Sequence, residues 1–287
     1  MCAYAPAVSG LLALLASALW GGADYLGGVL SRRLPALSVT LVGQAAALIA
    51  GSAVVAVLGG FAAPGPYLWW GVACGVVGPV ALVAFYTALA TGTMGVVAPI
   101  AATGVVVPVV VGLLRGERPS ALQLGGIAAA VVGVALAVRT PTTGAADGAR
   151  PVLLALTAAV GFGGVLLLVA EGSATSVGST LVAQRVTNVA LLGGVAGIQR
   201  RRTGNGLGLR RRDLPLVTLA GIADVSANGL YGVASRGGLV SVVAVLASLY
   251  PLATAVLARQ LLGERLVRTQ AAGVATALVG VTLMAAG

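Results

Sequence analysis

Two stretches of this chain follow one plan. Residues 94–137 read MGVVAPIAATGVVVPVVVGLLRGERPSALQLGGIAAAVVGVALA, and residues 241–284 read SVVAVLASLYPLATAVLARQLLGERLVRTQAAGVATALVGVTLM. Laid over each other without a gap, Gly116-Glu117-Arg118 meets Gly263-Glu264-Arg265, and Gln123 meets Gln270. Gly126 meets Gly273, and Val132-Gly133-Val134 meets Val279-Gly280-Val281. Each copy is a long apolar run, a short charged hinge and a second, glycine-spaced apolar run. Solenoid repeats recur every 20 to 50 residues or so, and this period is far longer. It marks a duplicated half-protein.

Composition sets the solvent. Of 287 residues, 59% are hydrophobic and 8% charged, whereas soluble domains carry about 25% charged residues. A polytopic membrane protein fits, since its lipid-facing side chains are apolar and its helical backbone bonds to itself. The net charge of +10 does not mark a nucleic-acid groove. All 17 cations are Arg, and nearly all lie in the gaps between apolar runs, as the positive-inside rule distributes them. The two cysteines, Cys2 and Cys74, suggest neither a disulfide framework nor a metal site. No CxxC, HExxH, Walker or GxSxG pattern occurs, and no His is present as base or ligand. Neither cofactor nor metal is expected, and hydrolytic and phosphoryl-transfer enzymes are disfavoured.

A spanning helix needs about 20 mostly apolar residues. Ten runs qualify: 8–30, 37–58, 67–90, 94–114, 120–138, 151–171, 177–198, 214–235, 239–261 and 268–286. The first run reads as a retained helix, because residues 1–9 hold no Lys or Arg and no convincing cleavage site follows. Tyr67, Trp69 and Trp70 read as an interfacial belt. Arg139 to Arg150 is a polar linker dividing five helices from five, so the expected units are residues 1–138 and 151–287, joined by 139–150. Arg200 to Asp213 is a basic loop facing lipid headgroups. An odd number of helices per half turns the second half over, which predicts an all-α fold of ten transmembrane helices in two inverted five-helix repeats. The Arg count places the odd-numbered loops in the cytoplasm and both termini outside.

Ionisable residues at membrane depth are functional-site candidates. Asp24, Arg185 and Asp224 qualify, with Glu171 near a helix end. Asp224, Asn228 and Tyr231 are spaced i, i+4, i+7 and form one polar stripe on the eighth helix. Trp20 and Tyr25 flank Asp24 on the first helix. Gln184, Arg185 and Asn188 lie on the seventh helix, with Gln44 at the matching place on the second. In one reading these groups line a central cavity; in the other, Arg185 neutralises Asp224 or Asp24 and the amides join helices. Glu117 and Glu264, each beside an Arg, cap helix starts. Gly126, Gly133, Gly273 and Gly280 are expected to pack the fifth and tenth helices against their own halves.

Ten helices in two halves, each ending in an apolar run, Gly-Glu-Arg and a glycine-spaced last helix, resemble the EamA-type branch of the drug/metabolite transporter superfamily. Ser248-Leu249-Tyr250-Pro251, thirteen residues before Glu264, and Leu19-Trp20-Gly21-Gly22 carry the likeness further. In the first half Gly104 stands where Pro251 would map, with prolines at Pro99 and Pro108 instead, so the kink there is expected to be displaced. The resemblance implies cytoplasmic termini, against the Arg count, and last helices that support the bundle rather than line a path. It implies a carrier and not an enzyme.

The expectation is a multi-pass cell-membrane transporter that exports a small polar or amphipathic metabolite by alternating access. Its partners are that solute and the lipid bilayer, with a proton riding on Asp24 or Asp224. Trp20, Asp24, Arg185, Asp224, Asn228, Tyr231 and Tyr250 are the expected substrate-binding or coupling residues. A membrane-embedded enzyme or a non-transporting receptor is the alternative.

Overall fold

The computed structural model describes residues 6–59, 61–116, 118, 120–138, 149–204, 206–263 and 268–286. Cys2, the hinge acids Glu117 and Glu264, and most of the 139–150 linker lie outside these residues. Among the described residues there are helices and no strand. The first half comprises α1 (Pro6–Ser31), α2 (Ala36–Val57), α3 (Tyr67–Thr91), α4 (Met94–Ala102), α5 (Val106–Leu114) and α6 (Ala121–Val138). The second comprises α7 (Ala149–Thr175), α8 (Val177–Thr203), α9 (Leu214–Ala234), α10 (Val240–Ala247), α11 (Tyr250–Leu262) and α12 (Arg268–Ala286). Among the described residues, eight segments are long and apolar enough to cross a membrane, two of them drawn from the pairs α4–α5 and α10–α11. Large apolar side chains such as Ile49, Val80, Leu153 and Val160 point outward and stay exposed. That surface suits lipid and not water.

The fourth and ninth apolar runs, expected as single helices, are each broken near the middle. Thr103–Val105 tightens into a 3-10 turn between α4 and α5, and Ser248-Leu249 separates α10 from α11. Proline explains both positions. It has no N–H to give to the carbonyl four residues earlier. Pro108 therefore leaves Gly104 without its helical donor, and Pro251, in the first turn of α11, does the same to Ala247. In the ungapped alignment Thr103–Val105 falls on Tyr250–Leu252, so the two breaks are offset by about two residues, as the displaced prolines lead one to expect.

The packing of the halves is mirrored. α3 lies against α7 and α8, while their counterparts α9 and α1, and α9 and α2, pack likewise. α2 meets its own counterpart α8. α6 and α12 pack most extensively on each other, which corrects the expectation that each would serve its own half. Gly126, Gly133, Gly273 and Gly280 are buried along them.

The ends of the bundle hold most of the remaining charge. α8 runs on through Arg200, Arg201 and Arg202 before Gly204 closes it with a left-handed φ of 71°. The basic segment therefore begins as a last helical turn, where cations complement the helix dipole and glycine accepts the αL conformation. Asp213 receives the Arg210 N–H at 3.1 Å and pairs with Arg33 at 3.0 Å, tying this segment to the turn after α1. Elsewhere Arg115, after α5, pairs with Glu171 near the end of α7. Of the expected aromatic belt, Trp69 is exposed but Tyr67 is buried, and its hydroxyl donates to the Ala62 carbonyl at 2.9 Å.

Two close approaches set the middle of the bundle. A Cβ on Gly221 of α9 would stand 2.0 Å from the Gly43 carbonyl oxygen of α2. One on Gly21 of α1 would stand 2.4 Å from the Ala253 Cβ and 2.6 Å from the Tyr250 carbonyl oxygen. Overpacking such contacts costs typically about 1–3 kcal/mol. Gly221→Ala should therefore lower the melting temperature of the purified protein. Gly194→Ala on α8, with nothing within 4 Å of the added carbon, should be neutral or stabilise by up to about 1 kcal/mol. Equal melting temperatures for the two variants would mean that the α2–α9 seam yields freely.

Candidate functional site: a charged cavity between the halves

The residues flanking those glycines meet in one place. α1 contributes Trp20 and Asp24, one turn apart and on either side of Gly21. α2 contributes Gln44, next to Gly43, and α9 contributes Asp224 and Asn228, about one and two turns beyond Gly221. α8 adds Gln184, Arg185 and Asn188. These side chains, with Gly78 and Leu82 of α3, Phe162, Val165 and Leu166 of α7, and Ser248 and Tyr250 at the α10–α11 break, line a single cavity. Its empty volume is about 620 Å³ with the open mouth included. Both halves supply wall residues, and every polar one lies well inside its helix or at the break.

The expected charge pair is present. Arg185 Nη1 stands 3.0 Å from Asp224 Oδ2, with the arginine almost fully buried and the aspartate keeping 16% of its side chain accessible. The same Nη1 also donates to Gln44 Oε1. Gln44 in turn donates through Nε2 to Asp224 Oδ2 at 3.2 Å and accepts from Asn188 Nδ2 at 2.7 Å. Turning the Asn188 amide over would let it donate to the Gly75 and Gln184 carbonyls at 3.0 and 3.1 Å. It would also set the Asn188 oxygen against Gln44 Oε1, two acceptors face to face, whereas the orientation donating to Gln44 sets that oxygen against the two carbonyls, so each orientation meets one side of the cluster. Asn228 Nδ2 donates to the Asp224 carbonyl at 2.8 Å and to Oδ1 at 3.2 Å. One ion pair is thus held by amides from α2, α8 and α9.

Asp24 stands apart. It is 6% exposed and makes no hydrogen bond or ion pair among the described residues. Several other polar atoms of the wall are also unmet: Nε and Nη2 of Arg185, Oε1 of Gln184, Oδ1 of Asn228 and the Tyr250 hydroxyl. Buried polar groups are usually satisfied, by protein or by ordered water. The Tyr250 ring meets Phe85 edge-on, centroids 6.4 Å apart. One turn on, Thr254 ties α11 to α1, its Oγ1 donating to the Gly21 carbonyl at 3.2 Å.

Six of the seven residues singled out from sequence meet at this cavity. Tyr231, expected on the same stripe as Asp224 and Asn228, is not among its lining residues. It is fully covered, its hydroxyl donates to the Leu166 carbonyl of α7 at 3.0 Å, and its ring backs Trp20 with centroids 5.9 Å apart. At i+7 it lies far enough along α9 to reach α7. Gln44 gains the weight that Tyr231 loses. Its signal was present in the sequence as a lone amide in an apolar run. Phe162 and Leu82 gave no such signal, since apolar wall and apolar core read alike.

The chain matches the EamA-like transporter family over residues 8–139 and again over 149–286, and it belongs to that family. It is a multi-pass membrane protein built from two copies of the family's repeat. No curated protein matches it. A solved crystal structure of a protein with 16% sequence identity superposes with a TM-score of 0.72. The match covers 96% of this chain and 95% of that one, and shows the fold alone.

Removing one member of a buried ion pair typically costs about 3–5 kcal/mol, because the survivor stays buried and unpaired. Arg185→Ala should destabilise the protein on that scale, and Asp224→Ala added to it should recover part of the loss. A thermal-melting double-mutant cycle measures the coupling. Strictly additive losses would mean that the two charges do not stabilise one another.

Proposed function

We propose that this protein is a secondary transporter with ten spans in two inverted five-helix repeats. It resides in the cell membrane and exports a small polar or amphipathic metabolite by alternating access. The observation that carries the reading is the cavity itself. Charged and amide groups from both halves converge at mid-helix depth, where an inverted-repeat carrier places its solute. The two broken runs support it, since an interrupted helical ladder in a bilayer is tolerated where it borders a cavity or protein. The mirrored packing of α3 with α7 and α9 with α1 is the pattern that a two-fold axis in the membrane plane would give. No ATP-binding pattern is present in the sequence, so a gradient supplies the work.

Asp24 is the carboxylate proposed to carry the coupling proton. Asp224 is already neutralised by Arg185, while no cation pairs with Asp24 among the described residues. Asp224, Arg185 and Tyr250 share the cavity with it. Asp24→Asn keeps the shape and removes the charge. Reconstituted in proteoliposomes, it should fold normally yet lose the dependence of flux on an imposed proton gradient, whereas Tyr231→Phe should keep that dependence. Parent-like gradient dependence in Asp24→Asn across pH 5–9 would remove Asp24 from coupling.

The ten-span inverted topology makes a separate prediction. In a background with Cys2 and Cys74 replaced by Ala, single cysteines introduced by Thr142→Cys and Gly204→Cys should react with an impermeant thiol reagent from the same side. Labelling from opposite sides would sink the topology. The side on which both react also chooses between the Arg count and the family's orientation.

A further inference from the structure

α8 is longer than the apolar layer it crosses. Its 27 residues run about 40 Å at 1.5 Å per residue, against a hydrocarbon core of about 30 Å. Counted from Val177, that core ends near Gly197, so Arg200, Arg201 and Arg202 stand at the level of the lipid headgroups. All three are exposed, and none has a side-chain hydrogen bond or ion pair among the described residues. No acid occurs in the sequence between Glu171 and Asp213. The second triplet, Arg210 to Arg212, is placed differently. Asp213 follows it directly, accepting from the Arg210 N–H and pairing with Arg33. Leu209, just before it, packs against the same core cluster as Leu34, so that segment is folded onto the turn after α1.

The turns of α8 that lead up to its own triplet are bare. Leu191, Val195 and Ile198 are exposed, and a Cβ added to Gly193, Gly194 or Gly197 would meet nothing within 4 Å. The first half of the same helix is packed closely: a Cβ on Gly71 of α3 would stand 2.7 Å from the Ala183 Cβ, and one on Gly75 2.8 Å from the Gln184 carbonyl oxygen. An apolar face within the hydrocarbon layer thus runs straight into three uncompensated cations. We propose that this end of α8 is a binding site for an anionic phospholipid, with the phosphate and charged headgroup on Arg200–Arg202 and an acyl chain along the bare turns. A soluble anion would meet the arginines and leave the apolar face uncovered. A zwitterionic phospholipid would cover the face but bring no net charge. A second copy of the chain laid parallel on this face would set two arginine triplets side by side. The site is independent of what the central chamber holds.

The test uses the full chain, stripped of lipid in mild detergent and offered equal amounts of dioleoylphosphatidylglycerol and dioleoylphosphatidylcholine, which share their acyl chains and differ in net charge. Native mass spectrometry of the bound lipid should favour the anionic one by about tenfold or more, as several arginines at a membrane surface would give. Glycerophosphoglycerol, the same headgroup without chains, should fail to displace it. Changing Arg200, Arg201 and Arg202 together to Gln should bring the preference close to parity, while the same change at Arg210, Arg211 and Arg212 should keep it. Added phosphatidylglycerol should raise the melting temperature of the parent and of the second variant but not of the first, because a ligand stabilises only the form that binds it. Equal binding of the two lipids by the parent would overturn the proposal. Displacement by glycerophosphoglycerol would reduce the site to one for a soluble anion, and equal loss from the two triplets would reduce it to diffuse attraction; either result overturns it. The lipid comparison and the displacement need the parent protein alone, so they decide the matter even if the first variant fails to fold.

Discussion

Arg185 cannot be left facing lipid, and the central architecture follows from where its charge goes. A guanidinium at membrane depth must pair within the protein or meet water. Here it pairs across helices, with Asp224 of α9 at 3.0 Å and with Gln44 of α2. That requirement draws α2, α8 and α9 to one point, and Gly43 and Gly221 let the backbones of α2 and α9 close on it. Ordinary interhelical hydrogen bonds in membranes average only about 0.6 kcal/mol. The amide contacts around the pair therefore do more to fix its geometry than to hold the bundle together. Stability comes from the apolar interfaces, among which the α6–α12 contact is the most extensive.

The bundle is nearly symmetric, but its polar content is not. Each half has a run broken ahead of a proline, and each sends its third helix across to the other half's first and second. Arg185 and Asp224 both come from the second half, whereas Asp24 and Gln44 come from the first. Duplication accounts for the frame, and the charges were placed on it separately. The two halves are thus alike in frame and chemically distinct where they meet.

Much of the frame was legible in the sequence. Apolar runs of spanning length, punctuated by Arg, Gly and Pro, gave the helices, and the ungapped alignment of residues 94–137 with 241–284 gave the two halves. The breaks in the fourth and ninth runs were half-legible. Pro108 and Pro251 announce a lost hydrogen bond, but both runs stay apolar enough to read as continuous. The partnership of α6 and α12 was hidden, because Gly126, Gly133, Gly273 and Gly280 show that each helix has a tight face without saying whose. Charges were the best guide to the cavity, since a charge in an apolar run has few places to go. Tyr231 shows the limit of a periodic stripe. Seven residues carry a side chain two turns along α9, far enough to leave the chamber and reach the Leu166 carbonyl behind it.

The seam between Gly43 and Gly221 has a consequence for how this chamber varies. A contact made of backbone has no rotamers to repack and no side chain to exchange for a smaller one. Gln44 and Asp224, each within three residues of that seam, are thus fixed by main chain rather than by packing. Elsewhere on the lining, Leu82, Phe162 and Val165 are ordinary side chains that could be enlarged or trimmed without moving that seam. The fold thereby separates polar groups held in place by main chain from an apolar lining set by side chains alone.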